Sequence, residues 1–137
     1  MTEGAAWTDY RETFDEAVER IVVATEGEKI GVLFSGGFDS SVVLNALVRH
    51  GKLRRGGILP ITATNPRTPF SDDAYSVAVA REIGVERFEA ALSPDDVSLF
   101  SESVSAIGDS SDLWGFGILL KKAFREAARQ GVRTVVS

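Results

Sequence analysis

Apolar side chains recur along this chain in two alternating patterns, one typical of amphipathic helices and one typical of buried strands. Residues 9–24 carry apolar side chains at helical spacing, and residues 29–35 form a short continuous apolar run. The alternation continues along the chain. It predicts further helices over 39–51, 71–84, 93–106 and most of 113–131, and further strands over 58–64, 85–92 and 132–137.

Strands that alternate with helices pair in parallel through crossover connections. The pattern therefore predicts an α/β fold: a doubly wound parallel sheet of about four to five strands with helices on both faces. All of it belongs to a single domain over residues 1–137. Pro60 interrupts the second strand with a residue that lacks a backbone N–H, so it must lie at the strand's start or where the ladder needs no donor.

Polar residues and glycines mark the ends of the predicted helices. Asp9 is the expected N-cap of the first helix, and residues 71–73, Ser-Asp-Asp, place a cap and negative charge before the third. The segment 93–96, Ser-Pro-Asp-Asp, has the form of a capping box with proline at the first helical position. Glycines end the helices that precede them, at Gly51, Gly84 and Gly131.

Composition narrows the class of protein. Hydrophobic residues make up 44% and charged residues 26% of 137, which indicates a globular chain with a core. There is no apolar run of the roughly 20 residues that a bilayer span needs, and the N-terminal residues do not resemble a signal peptide, so a cytoplasmic location is expected. The absence of cysteine excludes disulfides, thiolate metal sites and thiol nucleophiles.

The charge distribution argues against a nucleic-acid partner, because the net charge is −5 and neutralising phosphates requires clustered cations. The single dense basic cluster, Lys-Leu-Arg-Arg at 52–55, is interpreted as a solvated loop after a helix. The only histidine, His50, is expected to close that helix rather than to act in catalysis.

The candidate chemistry lies in the sequence GVLFSGGFDSSVVL, residues 31–44, where a buried strand turns into a helix. Gly36 and Gly37 allow positive φ and a close approach of the backbone to a ligand. Consecutive amides and the N-terminus of the following helix favour an anion, and hydroxyl groups surround them at Ser35, Ser40 and Ser41. In a doubly wound sheet this first strand-to-helix turn is where phosphate binds.

Asp39 is the unusual member of this turn, because a carboxylate repels phosphate unless it caps the helix or holds a cation. We interpret it as a Mg²⁺ ligand, since this ion is held by one or two carboxylates together with substrate phosphates. Two other phosphate motifs do not match. The two glycines are adjacent and therefore do not fit G-x-G-x-x-G, and a Walker A loop needs a lysine that is missing between Lys29 and Lys52.

Residues 35–40, Ser-Gly-Gly-Phe-Asp-Ser, match the SGGxDS pyrophosphate loop of the N-type ATP pyrophosphatases and resemble its asparagine synthetase branch. The second serine, Ser41, gives the SGGxDSS form common in that branch. The stretches SDDAYSVAVAREIGVERFEAAL and DSSDLWGFGILLKKAFREAARQGVRTVVS also resemble sections of it, so the resemblance covers nearly the whole chain, although only the loop is highly specific.

The resemblance implies an adenine-nucleotide alpha-hydrolase-like fold and an ATP-dependent, AMP-forming ligase that adenylates a carboxylate and releases pyrophosphate. It implies that Asp39 binds Mg²⁺ and that backbone groups of Leu33 and Ala63 contact the adenosine. Ser137 looks like the first residue of the family's second motif. The pyrophosphate would be held by Ser35, Gly36, Gly37 and Ser40, with Ser41 beside them.

The expected partners follow from the same resemblance: ATP, a small carboxylate substrate, and an amine or ammonia. The family's glutaminase domain with its N-terminal cysteine is missing from this sequence, so glutamine hydrolysis requires a separate domain or chain. Self-association is left open. The family continues beyond Ser137 into a Gly-rich acidic motif, so we expect this chain to be a fragment or part of a split enzyme that alone binds ATP weakly and turns over little.

Three alternatives stay open at the level of sequence. The first is another enzyme of the superfamily, such as an NAD or GMP synthetase type or one that modifies tRNA or deazapurines. The second is a non-catalytic nucleotide-binding module. The third concerns the segment before the last helix, where Asp109 and Asp112 either contact substrate or an ion, or cap the helix before Leu113. Trp114 and Phe116 in the same segment are interpreted as core and docking residues.

Overall fold

A four-stranded parallel sheet forms the centre of the molecule. The structure is a computed structural model that describes residues 3–67, 73–107 and 116–137. The strands lie in the order β3-β2-β1-β4, and each neighbouring pair is parallel. Their bounds are β1 Ile30–Leu33, β2 Ile58–Thr64, β3 Phe88–Ala91 and β4 Thr134–Val136. The predicted α/β fold with a parallel sheet is confirmed.

Helices cover both faces of this sheet, as predicted. The bounds are α1 Glu3–Ala24, α2 Phe38–Arg49, α3 Asp73–Ile83, α4 Val97–Ile107 and α5 Phe116–Arg129. A 3₁₀ turn, Pro94–Asp96, leads into α4. The first three helices pack on one face, and α5 packs on the other with α4 against it. None of the described helices has both the length and the apolar character needed to span a bilayer.

The alternation of side chains along the strands divides the core into two clusters. On the face covered by the first three helices, Val22, Ile30, Phe34, Leu44 and Leu47 are buried together. The cluster on the α5 face consists of Ile61, Ala90, Ala123, Ala127 and Val132. Because successive residues of a strand face opposite sides, both surfaces of the central strands must be apolar, which explains their continuous hydrophobic runs.

Pro60 lies inside β2, and the pairing shows why it is tolerated there. The carbonyl groups of Gly57 and Ile61 accept bonds from the β1 side. The odd-numbered residues of β2 therefore direct their backbone groups toward β1, and Pro60 directs its backbone toward β3. On that side β3 begins only at the pair of Ile61 with Phe88. No donor is needed at Pro60, as the sequence predicted.

The predictions for two helix starts have different outcomes. Helix α1 begins at Glu3, so the prediction of Asp9 as its N-cap is wrong; helical backbone continues through it, and its carbonyl accepts a bond from Thr13 Oγ1 at 2.8 Å. The capping box at Ser93 is confirmed, with the Ser93 N–H donating to Asp96 Oδ2 at 2.8 Å. Ser71 and Asp72 lie outside the described residues.

The basic cluster at 52–55 is only partly the solvated loop that the sequence predicted. Leu53, Arg54 and Arg55 are exposed, but Lys52 is completely buried. Its ammonium group donates to the carbonyls of Thr25 at 2.5 Å and Glu28 at 2.7 Å. Lys52 therefore joins the α2–β2 loop to the segment between α1 and β1.

Candidate functional site

The strand order places the glycine-serine turn at the point where the direction of winding reverses. From β1 the chain moves outward through β2 to β3, and it then returns to place β4 on the opposite side of β1. The carboxyl ends of β1 and β4 therefore border a crevice, which is where open α/β sheets bind their ligands. The turn Ser35–Ser41, called here the SGG loop, follows β1 at this edge.

Hydrogen bonds within the SGG loop hold its hydroxyl groups in place. The Gly37 N–H donates to Ser35 Oγ at 3.2 Å, and the Ser35 N–H donates to Ser40 Oγ at 3.3 Å. The two hydroxyl oxygens are 3.2 Å apart. Because each group is fixed by the loop's own backbone, Ser35 and Ser40 are brought together before any ligand arrives.

The Gly37 carbonyl is the anchor for the other side of the SGG loop. It accepts bonds from the Ser41 N–H at 3.0 Å, from Ser41 Oγ at 2.6 Å and from Ser40 Oγ at 3.2 Å. The Ser41 hydroxyl proton is thus engaged in closing the first turn of α2. Its contact with a ligand stays a prediction.

Gly36 fixes the SGG loop against the neighbouring helix. Its φ is +81°, and a Cβ at this position would lie 2.5 Å from the Ser76 nitrogen and 2.9 Å from the Tyr75 carbonyl carbon. Only glycine allows this combination of left-handed backbone and close approach. The first turn of α3 is therefore in direct backbone contact with the SGG loop, a contact that the sequence analysis missed because nothing in the local pattern signals it.

The N-terminus of α2 provides the amides for an anion. Gly37 is its N-cap and makes no side-chain cap bond, and the first bond within the helix is donated by Ser41. The amides of Phe38, Asp39 and Ser40 precede that bond and so have no acceptor within the helix. Together with the helix dipole, they favour a negatively charged group above the SGG loop.

Asp39 lies in the first turn of α2 with an exposed side chain, and it is not the helix cap. One of the two roles considered for it, capping, is therefore absent. Within the described ranges there is no cluster of three or more potential metal-ligating side chains. A single carboxylate fits Mg²⁺ if substrate phosphates supply further oxygen ligands.

The other predicted site residues meet at the same edge of the sheet. Leu33 is the last residue of β1, and the pairing of Val32 with Val136 places Ser137 beside it. The Phe34 N–H, just after β1, donates to the Ile61 carbonyl of β2. Ala63 lies two residues farther along β2. Its backbone groups therefore face the space beyond the end of β1. Asp109, Asp112 and Trp114 lie outside the described residues, and Phe116 begins α5.

Comparison with known proteins gives a family and a fold. The family model for asparagine synthase matches residues 9–137. A glutamine-dependent NAD⁺ synthetase from Acinetobacter baumannii, solved in complex with adenosine diphosphate, is similar in fold with a TM-score of 0.60 and 17% sequence identity. The similar region covers 85% of this chain but 22% of that enzyme. No curated protein sequence matches this chain.

Proposed function

Because this chain belongs to the asparagine synthase family, we propose that its SGG loop binds the pyrophosphate part of ATP and serves the adenylation of a substrate carboxylate. In this reaction a carboxylate oxygen attacks the α-phosphorus and the bond to the β-phosphate oxygen breaks. Pyrophosphate leaves, and an amine or ammonia then displaces AMP from the acyl-adenylate. The family and the fold support this proposal.

One observation carries the proposal: an SGGxDS turn with hydroxyls, free helix amides and a left-handed glycine lies at the switch point of a parallel sheet. The reaction builds negative charge on the departing pyrophosphate. The amides of Phe38, Asp39 and Ser40 would stabilise that charge without moving, because the start of α2 already fixes them. The hydroxyls of Ser35 and Ser40 would add hydrogen bonds by turning their protons from partners within the loop toward the phosphate.

Asp39 would hold Mg²⁺ beside the phosphates, where the ion supplies positive charge to the leaving group. The exposed carboxylate at the start of α2 suits this role, because it is next to the anion site and is not used as a cap. Backbone groups of Leu33 and Ala63 would hold the adenosine, with Ser137 beside them at the same edge. We also propose that the substrate is a small carboxylate and that the nitrogen donor is an amine or ammonia. If glutamine is the nitrogen source, a separate glutaminase domain or chain would hydrolyse it.

Pyrophosphate exchange into ATP tests this function directly. The full-length protein is incubated with Mg²⁺, ATP, labelled pyrophosphate and a panel of carboxylates that includes aspartate. We expect exchange with at least one acid. Asp39→Asn should abolish exchange while retaining the fold, whereas Asp95→Asn, an exposed acid at the same sheet edge, should leave it unchanged.

Two results would redirect the assignment. ATP binding without exchange for any acid would indicate a nucleotide-binding module or another chemistry of the superfamily. Full exchange in the Asp39→Asn variant would remove Asp39 from the metal role. No ATP binding by the full-length protein would overturn the proposal as a whole.

A further inference from the structure

One peptide unit at the entrance of the SGG loop is hydrogen-bonded at both of its polar ends. Its carbonyl group belongs to Phe34 and its N–H belongs to Ser35. The carbonyl oxygen accepts a bond from Thr62 Oγ1 at 2.5 Å, and the N–H donates to Ser40 Oγ at 3.3 Å. Because a peptide unit is rigid and planar, these two hydroxyl groups together set its orientation.

Thr62 reaches this carbonyl from inside the sheet. It lies in β2 and is 4% exposed. The neighbouring bond between the two segments is made by the backbone, from the Phe34 N–H to the Ile61 carbonyl at 2.8 Å. Phe34 is therefore bonded to β2 twice, through a backbone acceptor at its N–H and through the Thr62 side chain at its carbonyl.

Burial of the Phe34 ring does not replace the bond from Thr62. The ring is 2% exposed and belongs to the core cluster on the face of α1, α2 and α3, so it holds the Cα of Phe34 in place. Rotation about the bond from that Cα to the carbonyl carbon would still turn the whole peptide unit. The Thr62 hydroxyl opposes this rotation, because turning would leave the buried Phe34 carbonyl without its donor.

Ser40 transmits the orientation of this peptide unit into the SGG loop. Its Oγ accepts the bond from the Ser35 N–H, donates to the Gly37 carbonyl at 3.2 Å and lies 3.2 Å from Ser35 Oγ. A turn of the peptide unit would break the first of these bonds and change the separation of the two hydroxyl groups. The shape of the loop therefore depends on a donor in the neighbouring strand.

We propose that Thr62 is a positioning residue for the SGG loop. Its hydroxyl fixes the Phe34–Ser35 peptide unit and thereby holds the loop in the shape that receives phosphate. The inference rests on the proposed function, because the affinity that it explains is the affinity of the loop for the phosphates of ATP. In this role Thr62 acts through Phe34 and does not itself contact the nucleotide.

Thr62→Val tests this role, because valine keeps the shape of threonine and lacks the donor. The order of the Ser35 amide is measured by ¹⁵N relaxation in the full-length protein without ligand. We expect its order parameter to fall below about 0.6, the range of flexible backbone, while that of Val32 in β1 is retained. Calorimetry should show the dissociation constant of Mg²⁺-ATP rising by about fivefold or more and that of adenosine changing by less than about twofold.

Two variants separate positioning from general stability. Thr62→Ser keeps the hydroxyl and should retain both the order of Ser35 and the affinity for Mg²⁺-ATP. Thr25→Val is the matched control: Thr25 is 8% exposed and its Oγ1 donates to the Ile21 carbonyl at 2.7 Å, but it follows α1 at the opposite edge of the sheet. It should leave both readouts unchanged. Equal losses in Thr25→Val and Thr62→Val would overturn the proposal, as would losses in Thr62→Ser as large as in Thr62→Val.

Two further results would overturn the proposal. One is an ordered Ser35 amide in Thr62→Val, and the other is an equal loss of affinity for adenosine and Mg²⁺-ATP, since Thr62 would then support the whole edge of the sheet. If Thr62→Val does not fold, Thr62→Cys takes its place, because a thiol is a weak donor. Failure of the proposed function is distinguishable, because the unmodified protein would not bind Mg²⁺-ATP, and the order of Ser35 without ligand would still decide whether Thr62 holds the loop.

Discussion

At the scale of single residues, Gly36 meets two requirements that only glycine satisfies: a left-handed backbone and the absence of a Cβ. Its backbone has φ of +81°, and its hydrogen occupies the space beside the Ser76 backbone. The hydroxyls of Ser35 and Ser40 depend on the same turn for their separation of 3.2 Å. A change at Gly36 therefore affects both the packing of α3 and the shape of the proposed anion site.

We expect Gly36→Ala to lower the free energy of unfolding by about 3 kcal/mol or more, because left-handed strain adds to a backbone overlap that neither helix can relieve. Gly84→Ala is the matched control. Gly84 has nearly the same φ, +79°, with no atom within 4 Å of its Cβ position. It should lose only about 1 kcal/mol. Urea unfolding measures both, and equal losses would show that the contact with Ser76 contributes nothing.

At the scale of elements, a partly buried ion pair links the start of α4 to α5. Asp96 Oδ2 accepts bonds from Ser93 Oγ at 2.9 Å and from Lys122 Nζ at 2.9 Å. Lys122 also lies 3.4 Å from Glu126. Burial alone would raise the pKa of Asp96, but the hydrogen bonds from Lys122 and Ser93 outweigh it and lower the pKa below 3.8.

This lowered pKa predicts an acid-dependent contribution to stability. A carboxyl whose pKa is depressed by folding stabilises the protein above the unfolded-state value, and the contribution disappears as pH falls through the folded-state value. We expect Asp96→Asn to lower the free energy of unfolding by about 2 kcal/mol at pH 7. The difference from wild type should shrink as pH falls below 3.8. Asp95→Asn, a change at the exposed neighbour, should shift stability by less than about 0.5 kcal/mol at pH 7.

Lys52 performs a similar joining role between loops on the opposite edge of the sheet. Burial lowers the pKa of its ammonium group, although Glu28 and Glu26 oppose the change. Lys52→Met removes the donor to the Thr25 and Glu28 carbonyls, and we expect a loss of about 2 kcal/mol in thermal or urea unfolding. Arg55→Met, an exposed change in the same loop, serves as the control. A loss no larger than that of the control would show that water replaces the lysine without penalty.

At the scale of the whole molecule, the sheet order makes the proposed nucleotide site a junction of several segments. The SGG loop, the end of β4 and the first turn of α3 meet at one edge, and the two core clusters hold these segments from opposite faces. A ligand that contacts all of them should stabilise the fold as a unit, because it binds only when they are assembled.

Mg²⁺-ATP at 100 times its dissociation constant should therefore raise the stability of the protein by about 2.7 kcal/mol, seen as an increase in the thermal midpoint. Adenosine at the same concentration lacks the phosphates, and its effect should be much smaller. ATP with a chelator should fall between them. Equal protection by adenosine and ATP would place the binding energy outside the SGG loop.

The amino-acid sequence by itself determined the alternation of strands and helices, the position of the glycine-serine turn between β1 and α2, and the capping box at Ser93. These features depend on neighbouring residues, whose hydrophobic period, backbone freedom and hydrogen-bonding groups are written in the local order. The start of α1 was misplaced for a related reason: Asp9 is a good cap, but the residues before it continue the helix equally well.

Only the tertiary structure decided what the distant segments do to one another. Lys52 is buried because the Thr25 and Glu28 carbonyls, more than twenty residues away, turn toward it. Tyr75 and Ser76 reach Gly36 because β2 lies beside β1 and brings α3 alongside α2. Such contacts arise from the packing of elements that are remote in the chain, and no local pattern of polarity specifies them.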